Sequence, residues 1–431
     1  MMQAPITREE AQEVPLGQIE ATLARLGREI SSTAMNAGAH VAPRSSVMTL
    51  AAYARGAEQG NRVGRAVEGL TGQHPSRSII LIAEPDELTA PLSASVSLHC
   101  HVPQQGAGQT CAEQVKIHAR GDTYKHLPGV VLPLLLTELP VFVWWTDGMP
   151  SGNLVQNLID ISDRVMLDSA DFDDPNGDLI RLADLVEKQT NRTAFSDFNW
   201  SRLRSWRELV AQFFDDTRLR PYLEGIQRIE VEYAVGPGQR PNAAQANLFA
   251  GWLASRLRWQ TLTARHFGHG ASEIGLRTHL GAPVTLEITP RYGVDTRDWW
   301  AMSSAEWPML ATHADHFDEE SQSESATAQQ ETPPSVGMGA LMRINIQARL
   351  EGRPATFTVL RDDDLKNAST VIVAEGESLP VRHSPLAANS ETSLLHSQLV
   401  MFGHDPIYEA ALRAAKLLVH QEPVVKGNTR P

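Results

Sequence analysis

The side chains best suited to metal or redox chemistry lie close together: His99-Cys100-His101, then Cys111 and His118. Thiolates and imidazoles are zinc ligands when they converge on one point. Period-two alternation works against convergence here. Val96, Leu98, Cys100 and Val102 share one strand face, while Ser97, His99 and His101 share the other. Val115 and Ile117 alternate with Lys116 and His118 in the same way. The expectation is two buried core thiols beside surface histidines. A Cys100–Cys111 redox pair and a metal set are the alternatives. His313, Asp315 and His316 form a second cluster, at the border of an acidic stretch, where only adventitious metal binding is expected.

Arg77, in His74-Pro75-Ser76-Arg77, enters the apolar run Ser78 to Ala83 with a guanidinium fork suited to carboxylate or phosphate. It reads either as a structural ion-pair partner or as a phosphate ligand. No Gly-Lys dipeptide occurs, so no P-loop is present. Gly236-Pro237-Gly238 and Gly268-His269-Gly270 lack the third glycine of a dinucleotide fingerprint, and no GxSxG, HExxH or CxxC appears. Two aromatic segments remain. Trp144-Trp145 ends an apolar strand, and alternation turns its rings to opposite faces. Asp197 to Phe214 interleaves Trp200 and Trp206 with Arg202, Arg204 and Arg207. Trp and Arg are the residues of protein-interface hot spots. Trp144, Trp145, Trp200, Arg202, Arg204 and Arg207 are therefore the candidate partner-binding residues, against a plain reading of core-facing helix and solvated arginines.

The elements that must position these residues follow from periodicity. Leu16, Ile19, Leu23, Leu26 and Ile30 mark an opening helix. The two Cys-bearing runs read as an antiparallel hairpin across a Gly-containing turn. Helix candidates at Val130 to Leu136, Leu154 to Ile161 and Leu179 to Val186 then alternate with strands at Val141 to Trp145 and Arg164 to Asp168. That alternation predicts a three-layer α/β unit, mostly parallel with some antiparallel strands, over residues 1–190. An α+β domain is expected over 195–431. Its helices lie at Asp197 to Phe214, Ala246 to Leu257 and Ile407 to Leu418. Its strands are Ile226 to Ala234, VTLEIT, MRINIQARL, ATFTVL and STVIVAE.

Charge narrows the function classes. The 431 residues carry 38 Lys plus Arg against 51 Asp plus Glu, a net −13, which disfavours a general nucleic-acid binder. Between Arg297 and Arg343 eight acidic residues meet no Lys or Arg, and a disordered acidic loop is expected at 315–336. Leu127 to Trp145, the longest apolar stretch, is broken by Pro128, Pro133, Glu138 and Pro140, so no membrane helix is expected. Two cysteines make no disulfide framework, and the N-terminus lacks a signal-peptide pattern. A cytoplasmic protein without cofactor or metal is the reading.

Five segments together resemble the OpcA family of glucose-6-phosphate dehydrogenase assembly proteins. They are HPSRSIILI (His74 to Ile82), CAEQVKIHARG (Cys111 to Gly121), LPVFVWWTDGMP (Leu139 to Pro150), DRVMLDS (Asp163 to Ser169) and DFNWSRLRSWRELVAQFFD (Asp197 to Asp215). They occur in family order across the first half; beyond Pro221 only the general layout is similar. The resemblance implies a non-enzymatic partner that binds glucose-6-phosphate dehydrogenase and promotes its active oligomer. It also implies better use of glucose 6-phosphate, under control linked indirectly to thioredoxin redox state. The alternative is a sugar-phosphate-binding enzyme or sensor, with Arg77 as a ligand.

Overall fold

The computed structural model describes residues 6–8, 11–36, 46–101, 110–136, 138–189, 192–297, 335–387, 390–401 and 403–420. It divides into two units. The first comprises Met1–Arg202 with two later segments, Asn247–Leu257 and Glu391–His420; the second comprises the intervening chain and Gln421–Pro431. The chain thus leaves and re-enters the first unit, beyond the single break near 190–195 that periodicity suggested.

In the first unit, β1 (Ile6–Arg8) and β2 (Gln12–Val14) precede α1 (Ile19–Asn36), β3 (Met48–Arg55) and α2 (Ala57–Glu68). Next come β4 (Ser76–Glu84), β5 (Ala90–His101), β6 (Thr110–Arg120) and the short α3 (Leu127–Val131). The unit continues through β7 (Val141–Trp145), α4 (Gly152–Ile161), β8 (Arg164–Leu167), α5 (Pro175–Gln189), β9 (Ala194–Asp197) and α6 (Phe198–Arg202). Strands β6-β4-β3-β7-β8-β9 are all parallel, while β5 pairs antiparallel with β6 and takes β1 and β2 on its other side. Counting the parallel strands in chain order gives 3-2-1-4-5-6, the doubly wound order of dinucleotide-binding folds.

Apolar runs without alternation explain why these strands are central. Every residue from Met48 to Ala54 and from Ser76 to Ala83 is buried, so both sheet faces are covered. One face packs Leu50, Ala52, Ile80, Ile82, Phe142, Trp144 and Met166 against Val63 and Val67 of α2 and against Leu394, Leu395 and Leu399. A Cβ on Gly60 would fall 2.5 Å from Ile82, so α2 approaches β4 more closely than any other residue permits.

The second unit carries α7 (Arg204–Gln212) and β10 (Ile226–Val235), after which the chain returns to the first unit within α8 (Ala244–Arg256). Strands β11 (Gln260–His266), β12 (Ser272–Arg277) and β13 (Pro283–Tyr292) follow. Short β14 (Thr296–Arg297) pairs with β15 (Val336–Gly337). The unit ends with β16 (Leu341–Leu350), β17 (Arg353–Arg361), β18 (Asn367–Ala374), β19 (Glu377–Ser378) and β20 (Arg382–Pro385). These strands form one mostly antiparallel sheet, in which β10 and β13 run parallel. Its inner face buries Ile229, Val231, Leu286, Ile344, Ile346 and Phe357, and the rings of Phe213 and Phe214 lie 5.5 and 4.9 Å from Phe357. Its other face carries a charge ladder in which Arg228 meets Glu230 and Glu287, and Arg343 meets Glu232. Back in the first unit are α9 (Glu391–Leu399) and α10 (Pro406–Val419), the latter capped by Asp405. A Cβ on Gly251 would lie 2.3 Å from the Ala411 carbonyl oxygen, which sets the close approach of α8 to α10.

The fold therefore has the expected α/β character followed by a unit mixing sheet and helices, with corrections in detail. Periodicity missed β3, α2, β9, β11, β12 and α9, and the short strands β1, β2, β14, β15, β19 and β20. Asp197 to Phe214 is two helices, α6 and α7, where one was expected. Most of the acidic 315–336 stretch, with His313, Asp315 and His316, lies outside the described residues; its last residue, Val336, pairs with Thr296. Among the described residues no helix is long and apolar enough to cross a membrane.

Candidate functional site

In doubly wound sheets ligands bind beyond the carboxyl ends of the strands, at the point where strand order reverses. That point lies here between β3 and β7. The turn from β3 into α2 reads Arg55-Gly56-Ala57-Glu58-Gln59-Gly60. Gly56 adopts φ 85°, a left-handed conformation open to glycine, and Gly60 supplies the close helix–strand contact. In dinucleotide-binding proteins the amides of this turn face a pyrophosphate. In this protein two of them, at Arg55 and Ala57, are taken by side chains, and the Gly56 amide by the Ala83 carbonyl at 2.9 Å. Glu84 at the end of β4 accepts the Ala57 amide at 3.2 Å through Oε1, and Arg120 at 2.9 Å through Oε2. Gln59 accepts the Arg55 amide and donates to the Thr146 carbonyl at 2.8 Å. Thr146 in turn donates to the Tyr53 carbonyl at 2.7 Å, which closes a link across the β3–β7 switch point.

Aromatic packing reinforces that link. Tyr53 stacks on Trp145 with centroids 4.1 Å apart and planes 7° from parallel, and Trp145 donates to the Asp147 carbonyl at 3.0 Å. Burial, helped by the Asp147 charge, pushes the Tyr53 hydroxyl up to about 12. Asp147 is itself raised by burial, and Arg55 pulls it back. Both groups hold their protons more tightly than usual because burial disfavours their charged forms.

A second polar cluster lies beyond β8 and β9. Arg202 reaches both oxygens of Asp168 at 2.6 Å and bonds Asn199 Oδ1 at 3.0 Å. Asp197, with no exposed surface, accepts the Ser169 and Asn199 amides at 3.0 and 2.9 Å through Oδ1. Arg62 pairs with Glu391 at 3.3 Å. Burial first, and then the Asp168 charge, push the Asp197 carboxyl up to about 7.

Of the six candidate partner-binding residues the structure buries Trp144, Trp145, Trp200 and Arg202 and leaves Arg204 and Arg207 accessible. Trp144, Trp145 and Trp200 are 2%, 5% and 5% exposed. Both Trp rings of β7 are buried because both faces of a central parallel strand are covered, which simple alternation did not reveal. The Trp200 ring lies 5.7 Å from Tyr408, and its indole donates to Asp405. Arg202 is buried in its Asp168 pair, and Arg207 is half-buried. Arg204 is exposed and bonded to Glu208 along its own helix. Trp206 is buried, with Arg361 over its ring at 5.6 Å.

Arg77 is 5% exposed and divides its donors among Glu20, Glu113 and the Leu134 carbonyl. The geometry is that of a structural ion pair and leaves no phosphate cradle. Cys100 and Cys111 are not free core thiols: they are directly opposed in the β5–β6 register and joined as a disulfide. The sequence placed both on one face but left the hairpin register open. His99 is buried too, bonded to Ser97, where a surface histidine was expected. Among the described residues no group of three or more His, Cys, Asp or Glu is placed to hold a metal.

Fold and crevice together define a class: a protein whose first unit has the strand order of a dinucleotide-binding fold, with the phosphate turn and switch point bonded to its own side chains. Two family models match the chain, described as the glucose-6-phosphate dehydrogenase subunit N-terminal domain over residues 67–184 and C-terminal domain over residues 193–412. The chain belongs to this OpcA family. It is 34% identical over 224 residues to a protein of Nostoc punctiforme provisionally named OxPP cycle protein OpcA, covering 49% of this chain and 46% of that one. A protein of the same provisional name from Synechocystis is 34% identical over 194 residues, covering 44% and 38%. The matched region thus spans less than half the length of these relatives. Among solved structures, a 3-ketoreductase mutant from Actinomadura kijaniata aligns with TM-score 0.43 at 11% identity, covering 86% of this chain and 95% of that one. D-galactose-1-dehydrogenase from Rhizobium etli aligns with TM-score 0.37 at 12% identity, covering 86% and 94%. Likeness at this level transfers neither mechanism nor ligand.

Proposed function

We propose that this protein is a non-enzymatic assembly factor and allosteric activator of glucose-6-phosphate dehydrogenase, acting in the cytoplasm within the oxidative pentose phosphate pathway. The observation that carries the reading, beside family membership, is the state of the β3–α2 turn. Two amides of that turn already bond side chains, Ala57 to Glu84 and Arg55 to Gln59, and Gln59 is itself anchored on the Thr146 carbonyl. A ligand there would have to displace a carboxylate and an amide that complete the fold's own hydrogen bonds.

An activator acts by binding one state of its target more tightly than another. Moving an enzyme from one part in a hundred active to ninety-nine takes about 5.5 kcal/mol of differential affinity. A protein interface of ordinary size supplies that through a few well-buried anchors. The Cys100–Cys111 disulfide supports a redox link: disulfides in a reducing compartment are usually transient or redox-sensing, and half-buried Cys111, rather than buried Cys100, is the sulfur a dithiol oxidoreductase of the thioredoxin class would attack.

The test is to titrate the protein into glucose-6-phosphate dehydrogenase while following half-saturation by glucose 6-phosphate and oligomer size. The expected result is co-elution, a larger active oligomer and a lower half-saturation. Identical activity curves at every molar ratio would refute the proposal.

A further inference from the structure

The amino ends of the parallel strands, opposite the crevice, contain a cavity of about 220 Å³ lined by residues of the β7, β8 and β9 starts and of the segment before α10. We propose that this cavity binds a small phosphorylated anion, with Arg164 as its central cation. The inference does not rest on the activator reading, since either can hold without the other.

Arg164 is 2% exposed. Its guanidinium donates to Ser196 Oγ and to the Gly403 carbonyl, both neutral acceptors. A guanidinium carries five N–H donors, so most of them are left over after these two bonds. The first unit's other buried arginines are neutralised by carboxylates: Arg77 by Glu20 and Glu113, Arg202 by Asp168. Among the described residues no carboxylate lies within ion-pairing distance of Arg164. Asp405 acts on it only at longer range, and its oxygens already cap α10 and accept from Trp200. Burial lowers the Arg164 pKa, the mark of a charge removed from water with incomplete compensation. A buried cation of this kind is costly unless an anion completes it.

The rest of the lining fits that anion. Arg192 stands on the rim, exposed and without an ion pair among the described residues. His404 is held through Nδ1 by Glu409 at 2.7 Å, which leaves Nε2 for a ligand. Asp163 is the opposing charge, but one oxygen is committed to the Val141 amide at 2.8 Å, and the residue is exposed. Phe142 and Met401 supply an apolar wall. Two guanidinium forks call for a dianion, so a phosphate monoester is better matched than a single carboxylate. The volume leaves room for a small carbon skeleton beyond the phosphate. Ligands of doubly wound sheets bind at the opposite edge, so the site is distinct from the self-filled crevice.

Calorimetry on the full chain tests this, using inorganic phosphate and a hexose 6-phosphate in chloride buffer of matched ionic strength. The expected result is saturable binding of at least one, weakened about tenfold in Arg192→Ala and lost in Arg164→Met. If Arg164→Met fails to fold, Arg192→Ala decides alone, because its side chain is exposed. Equal affinity for the two probes would make the free ion the ligand; tighter binding of the hexose phosphate would make it the phosphorylated sugar. No saturable heat with either probe, or wild-type affinity in Arg192→Ala, would overturn the proposal.

Discussion

Replacing Asp197 by Asn should change the pH dependence of stability in a calculable way. The carboxyl has no exposed surface, its Oδ2 accepts no hydrogen bond among the described residues, and its folded pKa stands at about 7 against an ordinary 3.8. Raising an acid's pKa on folding reverses the common case, because the folded state then binds the extra proton. Below about pH 4 both states are protonated and the group costs nothing. Between pH 4 and 7 the unfolded chain has ionised while the folded one has not, so stability falls with each unit. Above 7 the full penalty applies. A shift of about three units at 1.36 kcal/mol each gives about 4 kcal/mol at pH 8, an upper figure because neighbouring groups relax. Asn cannot ionise and keeps the Oδ1 acceptor for the Ser169 and Asn199 amides. Urea denaturation of both proteins at pH 5, 6, 7 and 8 should show only about 1.5–2 kcal/mol of this penalty in the wild type at pH 5, little more than one unit above the unfolded pKa. The variant should then gain about 2–4 kcal/mol on the wild type by pH 8. Taking the difference removes other titrating groups, such as Glu391, also raised by burial, and His74, lowered by it. A difference that stays constant from pH 5 to 8 would refute the argument, because it would mean that Asp197 is ionised throughout.

Three further outcomes follow from the same geometry. Arg202→Ala strands Asp168 without its bidentate partner and should cost about 3–5 kcal/mol in urea denaturation, whereas exposed Arg204→Ala should change stability by under about 0.5. Gly60→Ala drives a methyl into Ile82 at 2.5 Å and should cost about 1–3 kcal/mol; a double variant with Ile82→Val should recover part of that in the same measurement. Reduction of Cys100–Cys111 opens a loop of sequence separation 11 and should lower stability by about 3 kcal/mol, an effect of reductant that the Cys100→Ser/Cys111→Ser variant should not show.

The local content of the chain was largely legible without coordinates. The strands at Ser76–Glu84, Val141–Trp145 and Arg164–Leu167, the Cys-bearing hairpin and β10, β13, β16, β17 and β18 of the second unit all announce themselves through runs or alternation. That is because hydrophobic period reports the local geometry of a segment. The segment Met48–Arg55 was overlooked because small residues, Ala51, Ala52 and Ala54, weaken its apolar signal. The glycines at 56, 60 and 64 that follow it were the cue to a strand–turn–helix.

Sequence alone thus determined secondary-structure type, the α/β-then-mixed order and the family likeness, each a property of neighbouring residues. Tertiary structure decided which polar groups meet. Glu84 reaches the start of α2, Asp168 closes on Arg202, Cys100 faces Cys111, and Arg164 is enclosed without a carboxylate at ion-pairing distance among the described residues. Burial and charge pairing depend on strand order and register, which bring together residues far apart in the chain. For that reason a tryptophan or arginine picked out by type as a surface anchor proved to be part of the core.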